Sequence, residues 1–168
     1  MRYAKVRSMD VVNGYGVMCS LFTQGCTHHC PHCFNEETWD FNGGKQWTNE
    51  LENKFIKLCQ NPHIDGISIL GGEPLDQAED IYKILFRVKK STNKPIYMWS
   101  GYTFEQIKSD EIKWKVIKNC VDILIDGEFH EAEKDIHLQL RGSSNQRVID
   151  IQKTIEDNKV VLWNTCTN

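Results

Sequence analysis

The chain has 168 residues with a hydrophobic fraction of 40%, which suits one domain with an ordinary globular core. Its 20 basic and 23 acidic residues give a formal net charge of −3, which excludes a broad basic field for nucleic acid or anionic lipid. No segment approaches the ~18 apolar residues that cross a membrane, and the N-terminus lacks the apolar core of a secretory signal. We therefore expect a single cytoplasmic domain over residues 1–168, with no nucleic-acid or membrane partner.

Short apolar runs alternate with amphipathic stretches along the chain. The runs are β-rich and bounded by glycine, proline or polar residues, which predicts buried strands. They cover residues 17–22, 66–70, 95–99 and 121–125, with one further candidate at 159–163. Apolar residues at helical spacing predict helices over 48–60 and 76–90. Asp76 with Glu79 predicts a capping box at the start of the second helix, and Thr103 with Gln106 predicts one for a third.

The alternation of strands and helices indicates an α/β fold with a mostly parallel sheet. Four or five such units are too few for a closed eight-stranded barrel of ~250 residues, so we expect an open, partial (βα) barrel. Turn motifs at residues 26–33, 71–74, 100–102 and 126–128 each follow a predicted strand. Because sites form at the carboxyl ends of parallel strands, these motifs predict a functional site on one rim.

The first motif places Cys26, Cys30 and Cys33 in a C-x3-C-x2-C spacing. Seven cysteines is an odd number, and three within eight residues favour metal binding over disulfides in a reducing cytosol. Three thiolates can hold three corners of a cubane iron–sulfur cluster and leave one iron open to a substrate or cofactor. Spacing alone leaves open a zinc site completed by a histidine of the same run, and a cluster that only relays electrons.

Other residues carry weaker patterns. Cys59, Cys120 and Cys166 are isolated, which is typical of core or incidental cysteines. The sequence Gly-Gly-Glu-Pro at 71–74 permits close backbone approach to a polar ligand, but no Gly-Lys-Ser/Thr follows, so it is not a phosphate loop. Asp126 is a carboxylate at the rim, with a turn or helix cap as its alternative role.

The cysteine spacing followed by Gly-Gly-Glu-Pro after the next strand resembles the radical S-adenosylmethionine (SAM) superfamily. Four further motifs narrow the resemblance to the activating proteins of anaerobic ribonucleoside-triphosphate reductases. They are VNGYG at 12–16, WSGY at 99–102, VDILIDG at 121–127 and LRGSSNQ at 140–146. The motifs keep their order, and the resemblance spans residues 9–150.

The resemblance implies that Cys26, Cys30 and Cys33 ligate a [4Fe-4S] cluster whose fourth iron chelates SAM. Reductive cleavage of SAM would give methionine and a 5′-deoxyadenosyl radical, which would remove a hydrogen atom from a glycine of the reductase. The implied partners are the reductase large subunit and a low-potential electron donor such as flavodoxin or ferredoxin. The activase of another glycyl-radical enzyme, such as pyruvate formate-lyase, is the alternative within this class, and a non-catalytic zinc-binding module is the alternative outside it.

The resemblance also implies a SAM-binding site without a catalytic residue of the protein itself, because the cofactor radical carries the chemistry. Its expected members are His32, Cys33, Phe34, Gly71, Gly72, Glu73, Ser100 and Asp126. The residues of the glycine turn would contact the methionine amino group. His32 and the backbone at 33–34 would lie along the adenine. Ser100 and Asp126 would contact the cofactor or a nearby cation.

Overall fold

In the computed structural model, which describes residues 1–163, the strands form one seven-stranded sheet. The strands are β1 (Arg2–Asp10), β2 (Met18–Thr23), β3 (Lys45–Gln46), β4 (Gly66–Gly71), β5 (Ile96–Ser100), β6 (Ile123–Asp126) and β7 (Arg147–Asp150). Their order across the sheet is β3-β1-β2-β4-β5-β6-β7. Strands β2, β4, β5 and β6 are parallel, whereas β1, β3 and β7 pair antiparallel at the two ends. The α/β class is therefore confirmed, with a sheet that is parallel in its middle.

The four central strands match the predicted runs to within two residues. The run at 159–163 is not a strand, because Leu162 makes only a single antiparallel bridge with Ile149. Strands β1, β3 and β7 were not predicted. The cysteine loop consequently follows the second strand, β2, rather than the first.

Four helices lie between the central strands along the chain and a fifth follows β7, and they bury their apolar faces in the main core. They are α1 (Asn49–Cys59), α2 (Ala78–Ser91), α3 (Phe104–Ser109), α4 (Glu111–Cys120) and α5 (Ile151–Asp157). The capping box of Thr103 and Gln106 is confirmed at α3. The box predicted for Asp76 and Glu79 is wrong, since a 3₁₀ turn at Pro74–Gln77 precedes α2 and the residue before α2 makes no side-chain cap.

Most of the hydrophobic core lies under these helices and includes two of the isolated cysteines. Cys59 is fully buried and Cys120 is 1% exposed, and both belong to the main apolar cluster. Burial raises the pKa of the Cys120 thiol to about 11. Both residues are core cysteines, as expected, whereas Cys166 lies outside the described residues. Within residues 1–163, the helices are all too short or too polar to cross a membrane.

Candidate functional site

The cysteine loop begins where β2 ends and is fixed at its start by backbone and side-chain contacts. The N–H of Gly25 donates to the carbonyl of Thr38 (2.7 Å) and the N–H of Cys26 to that of Trp39 (3.1 Å). The N–H and hydroxyl of Thr27 both donate to Oδ2 of Asp76, each at 2.9 Å. The loop is therefore tied to the turn that follows β4, which places it over the carboxyl ends of the parallel strands.

Cys26, Cys30 and Cys33 line one cavity at this edge. Cys26 is 8% exposed and the other two are half-buried. The chain reverses sharply between them, because His29 and His32 adopt φ of 50° and 58°, a region that residues other than glycine seldom occupy. Burial raises the pKa of the Cys26 thiol to about 11 and that of Cys30 above its ordinary value, an effect that metal binding to the thiolates would oppose.

The residues around this cavity suit an iron–sulfur cluster. All six cysteines within residues 1–163 carry free thiols, and three soft thiolate donors face one cavity. The described residues hold no group of three or more His, Cys, Asp or Glu side chains arranged around a single metal ion. Two buried nitrogens of cavity-lining residues, Nε2 of His28 and Nε1 of Trp39, find no hydrogen-bond partner in the part of the chain that the structure describes. A bound group can satisfy them.

The glycine turn after β4 passes directly over the end of β2. A Cβ on Gly71, whose φ is +112°, would lie 2.6 Å from the backbone nitrogen of Thr23. A Cβ on Gly72 would lie 2.2 Å from the carbonyl oxygen of Gly25. Both contacts are far below van der Waals distance, so only glycine fits at either position. The turn thereby brings its backbone to the wall of the cysteine cavity, which both glycines line.

Glu73 joins the carboxyl ends of β4 and β5. It is 1% exposed, and its carboxylate accepts hydrogen bonds from the N–H of Leu75 (2.8 Å), the hydroxyl of Ser100 (3.0 Å) and the N–H of Gly101 (2.7 Å). Glu73 and Ser100, both expected to contact SAM, line the cavity. These bonds hold the turn after β4 against the end of β5, so Glu73 has a structural role in addition to any contact with a bound ligand.

His28, which the sequence did not distinguish from its neighbours, lies inside the site. Its Nδ1 is hydrogen-bonded to Oε1 of Glu128 at 2.8 Å, and its Nε2 lies 3.4 Å from Oε2 of Glu73, within ion-pair distance but without hydrogen-bond geometry. The ring packs edge-on against Tyr102, and a Cβ on Gly101 would lie 2.6 Å from it. Burial alone would lower the pKa of His28, but Glu73 and Glu128 outweigh it and raise that pKa to about 9.

Asp126 lies behind the rim rather than in the cavity lining. It is 1% exposed and accepts the N–H of Phe104 at 2.7 Å. Arg147, its antiparallel neighbour on β7, donates from Nε at 3.1 Å and from Nη2 at 2.5 Å. The bonds to Asp126 and to Glu105 raise the pKa of Arg147 above its ordinary value. The Asp126 carboxylate thus ties β6 to β7 and to the start of α3, and its expected contact with the cofactor or a cation remains a prediction.

Two expected adenine contacts lie at the edge of the site. His32 is exposed and does not line the cavity. Phe34 is 63% exposed, packs against Phe129 with ring centroids 5.0 Å apart, and lines an adjoining groove. The cavity also contains residues that the sequence reasoning missed, and all of these except Trp39 lie in the quoted motifs or within two residues of them. They are Asn35, Trp39, Trp99, Gly127, Phe129 and Gln146.

Comparison with known proteins shows which family the sequence matches. Residues 12–149 match the family model described as a 4Fe-4S single cluster domain. The anaerobic ribonucleoside-triphosphate reductase-activating protein of Salmonella typhi is 38% identical over 153 residues, which cover 88% of this chain and 97% of that protein. The proteins of the same name from Escherichia coli K12 (36%, the same coverage) and bacteriophage T4 (34%, 88% of this chain and 93% of that protein) are also similar. The chain belongs to the family of anaerobic ribonucleoside-triphosphate reductase-activating proteins.

In this family member, we expect His28→Ala to lower the free energy of unfolding by about 1–3 kcal/mol, because the Glu73 and Glu128 carboxylates lose the ring that bridges them. Chemical denaturation followed by circular dichroism measures this change. His63→Ala is the control, since His63 is exposed and should stay within about 0.5 kcal/mol of the wild type. Equal stability of the two variants would contradict a bridging role for His28.

We expect Asp126→Ala to lower the free energy of unfolding by about 2–4 kcal/mol, because the Phe104 N–H loses its acceptor and the part-buried Arg147 loses its buried counter-ion. Glu105→Gln is the matched control at the same arginine, since Glu105 is 62% exposed and its pair should contribute less than about 1 kcal/mol. Denaturant unfolding of both variants measures the difference. A cost for Glu105→Gln as large as that for Asp126→Ala would contradict the assignment.

Proposed function

We propose that this chain is the activating enzyme of an anaerobic ribonucleoside-triphosphate reductase: a radical SAM oxidoreductase that generates a glycyl radical on its partner. One observation carries the proposal. Cys26, Cys30 and Cys33 line a single cavity together with the glycine turn at 71–73, at the carboxyl ends of the parallel strands where ligands bind in such sheets. The names of the relatives, anaerobic ribonucleoside-triphosphate reductase-activating proteins, support the same partner and activity.

The three cysteines would hold the [4Fe-4S] cluster. When bound and reduced, this group would supply one low-potential electron for the cleavage of SAM to methionine and a 5′-deoxyadenosyl radical; transfer of a hydrogen atom from the partner glycine would then give 5′-deoxyadenosine and the glycyl radical. The chain itself would orient the cofactor and exclude competing reactions. Gly71 and Gly72 line the cavity, and because they have no side chains a ligand can approach their backbone closely. No side chain is required as a general base.

We further propose how SAM is held. Gly71, Gly72, Glu73 and Ser100 line the cavity and are assigned to the methionine end of the cofactor. The adenine is assigned to the outer edge at 32–34, where Phe34 lies exposed beside Phe129. This assignment extends from the buried turn to Phe34, at the edge where the cavity meets the groove next to it.

The sheet is proposed to be the open partial barrel of the radical SAM superfamily, with residues 1–168 as one domain. Its parallel centre and the position of the site at the strand ends support this assignment, as does the strand order, in which β3 and β7 lie at opposite ends. A cytoplasmic location and flavodoxin or ferredoxin as electron donor complete the proposal, because a low-potential cluster chemistry requires a reducing compartment and a matching donor.

The decisive experiment compares two candidate partners. The anaerobically reconstituted protein is reduced and incubated with SAM and either an anaerobic ribonucleoside-triphosphate reductase or pyruvate formate-lyase, and glycyl radical is measured by electron spin resonance. We expect the radical on the reductase alone, with 5′-deoxyadenosine formed in equal amount. A reductase whose radical-bearing glycine is changed to alanine is the control and should give no signal. Radical formation on pyruvate formate-lyase, or on neither protein, would contradict the proposal.

A further inference from the structure

A second groove opens directly beside the cysteine cavity. Its volume is about 620 Å³, within the range of sites that enclose sizeable ligands. The groove and the cavity are continuous, since they share part of their walls. The shared lining residues are Cys33, Asn35, Leu70, Trp99, Phe129 and Gln146. A ligand in the groove would therefore lie next to the proposed cluster site.

The groove is cationic in a chain whose net charge is −3. Four basic side chains line it, against the single carboxylate of Asp135; they are those of Lys5, Arg7, Lys134 and Arg141. Lys5 Nζ lies 4.5 Å from the centroid of the Phe22 ring and the Arg7 guanidinium 5.1 Å from it, so both cations sit over an aromatic floor. Lys5 and Arg7 are two residues apart in β1, so both side chains lie on the same face of the strand.

Three of these cations are weakly neutralised. Arg7 and Asp10 are 3.7 Å apart, and Lys134 and Glu131 are also 3.7 Å apart, at the long end of ion-pair distances. Lys5 has no carboxylate within 4.0 Å among residues 1–163. Arg141 differs, because its Nη1 donates to the carbonyls of Ser144 and Gln146 and so supports the loop. A ligand carboxylate can therefore pair with Lys5, Arg7 and Lys134 without displacing a strong partner.

Exposed apolar side chains stand around the same groove. Val12 is 75% exposed, Phe34 63% and Ile136 83%, and all three belong to its lining. Exposed apolar residues clustered around a depression mark interaction sites more often than free surface. The combination of apolar rim and cationic wall suits a polypeptide segment better than a small polar metabolite.

From the cationic lining of the groove, its apolar rim and its continuity with the cysteine cavity, we propose that the groove binds a segment of the partner reductase that carries carboxylate side chains beside apolar residues. Lys5, Arg7 and Lys134 would recognise the carboxylates and orient the segment toward the cavity. This inference rests on the proposed function and adds to it the chemistry by which the partner is recognised. Such charges act mainly on partner selection and association rate, which salt screens.

The test uses the reconstituted holoenzyme and the variant Lys5→Gln/Arg7→Gln/Lys134→Gln. We expect its KM for the reductase in glycyl-radical formation to rise at least about tenfold, and the wild-type KM to rise with salt more steeply than that of the variant. The control, Lys108→Gln/Lys118→Gln/Lys159→Gln, removes the same charge from exposed lysines around a separate pocket and should leave that KM unchanged.

Cleavage of SAM by the reduced protein without the reductase distinguishes an effect on reductase binding from an effect on SAM binding. We expect the groove variant to keep the wild-type KM for SAM. A raised KM for SAM would show that the cations bind the cofactor carboxylate and would overturn the inference, as would an unchanged KM for the reductase. Failure of the proposed function is distinct, because the wild type would then form no glycyl radical on the reductase at all.

Discussion

Replacing any one of Cys26, Cys30 and Cys33 with alanine is expected to remove cluster retention and abolish SAM cleavage. Two thiolates cannot hold the cubane in the geometry that leaves one iron open. The described lining of the cavity contains no fourth cysteine that could replace the lost ligand. The iron content after anaerobic reconstitution and the yield of 5′-deoxyadenosine under reduction measure both effects.

The matched controls are Cys59→Ala and Cys120→Ala. Both cysteines lie in the apolar core, away from the cavity lining, so these variants should lose stability through small voids while retaining iron and most of the activity. Equal losses of iron across all five variants would show that the triplet is not the cluster site.

Replacing Glu73 with alanine is expected to give the largest stability loss at the site, about 3–5 kcal/mol, together with loss of measurable SAM binding. The change leaves the N–H of Leu75, the hydroxyl of Ser100 and the N–H of Gly101 without their acceptor. It also removes the carboxylate that lies beside His28. Denaturant unfolding and equilibrium binding of SAM to the reconstituted protein measure the two effects.

Glu79→Ala is the control for Glu73, since Glu79 is an exposed acidic residue at the start of α2 and should change stability by less than about 0.5 kcal/mol. Glu73→Gln keeps one acceptor oxygen and should cost less than Glu73→Ala. Wild-type stability for Glu73→Ala would contradict the role of this carboxylate in joining β4 to β5.

The sequence located the centre of the sheet and the site because both depend on local patterns. Short apolar runs identified the four parallel strands, and the cysteine spacing and the glycine turn followed them at the carboxyl ends. Gly71 approaches the end of β2 at Thr23, and Gly72 approaches Gly25 just beyond it, which explains why the turn requires two glycines. These features need only the residue types and their order along the chain.

Strand β1 was missed because it lacks the continuous apolar run by which the central strands were found. Val6 packs against the core, whereas Lys5 and Arg7 on the opposite face line the groove, so apolar and cationic residues alternate there. Strand β7 is only four residues long and begins with Arg147, which pairs with a buried aspartate. The cations of β1 and the Arg147 of β7 thus stand where the central strands have apolar residues.

The inward position of His28 was also beyond sequence reasoning. Three histidines occupy the cysteine loop, and which one faces the site depends on backbone angles, with His29 and His32 both at positive φ. Asp126 was placed correctly at the end of a strand, but its partner Arg147 comes from the antiparallel register of β6 and β7, a long-range pairing that no local motif shows.

The most direct test of the account is the electron spin resonance spectrum of the reduced, reconstituted protein recorded with and without SAM. The account predicts that SAM changes the cluster spectrum, because three cysteine ligands leave one iron to bind it, and that the change is lost in Cys30→Ala. A fully loaded, reduced cluster whose spectrum stays the same at saturating SAM would contradict the central claim that the open iron is the cofactor site.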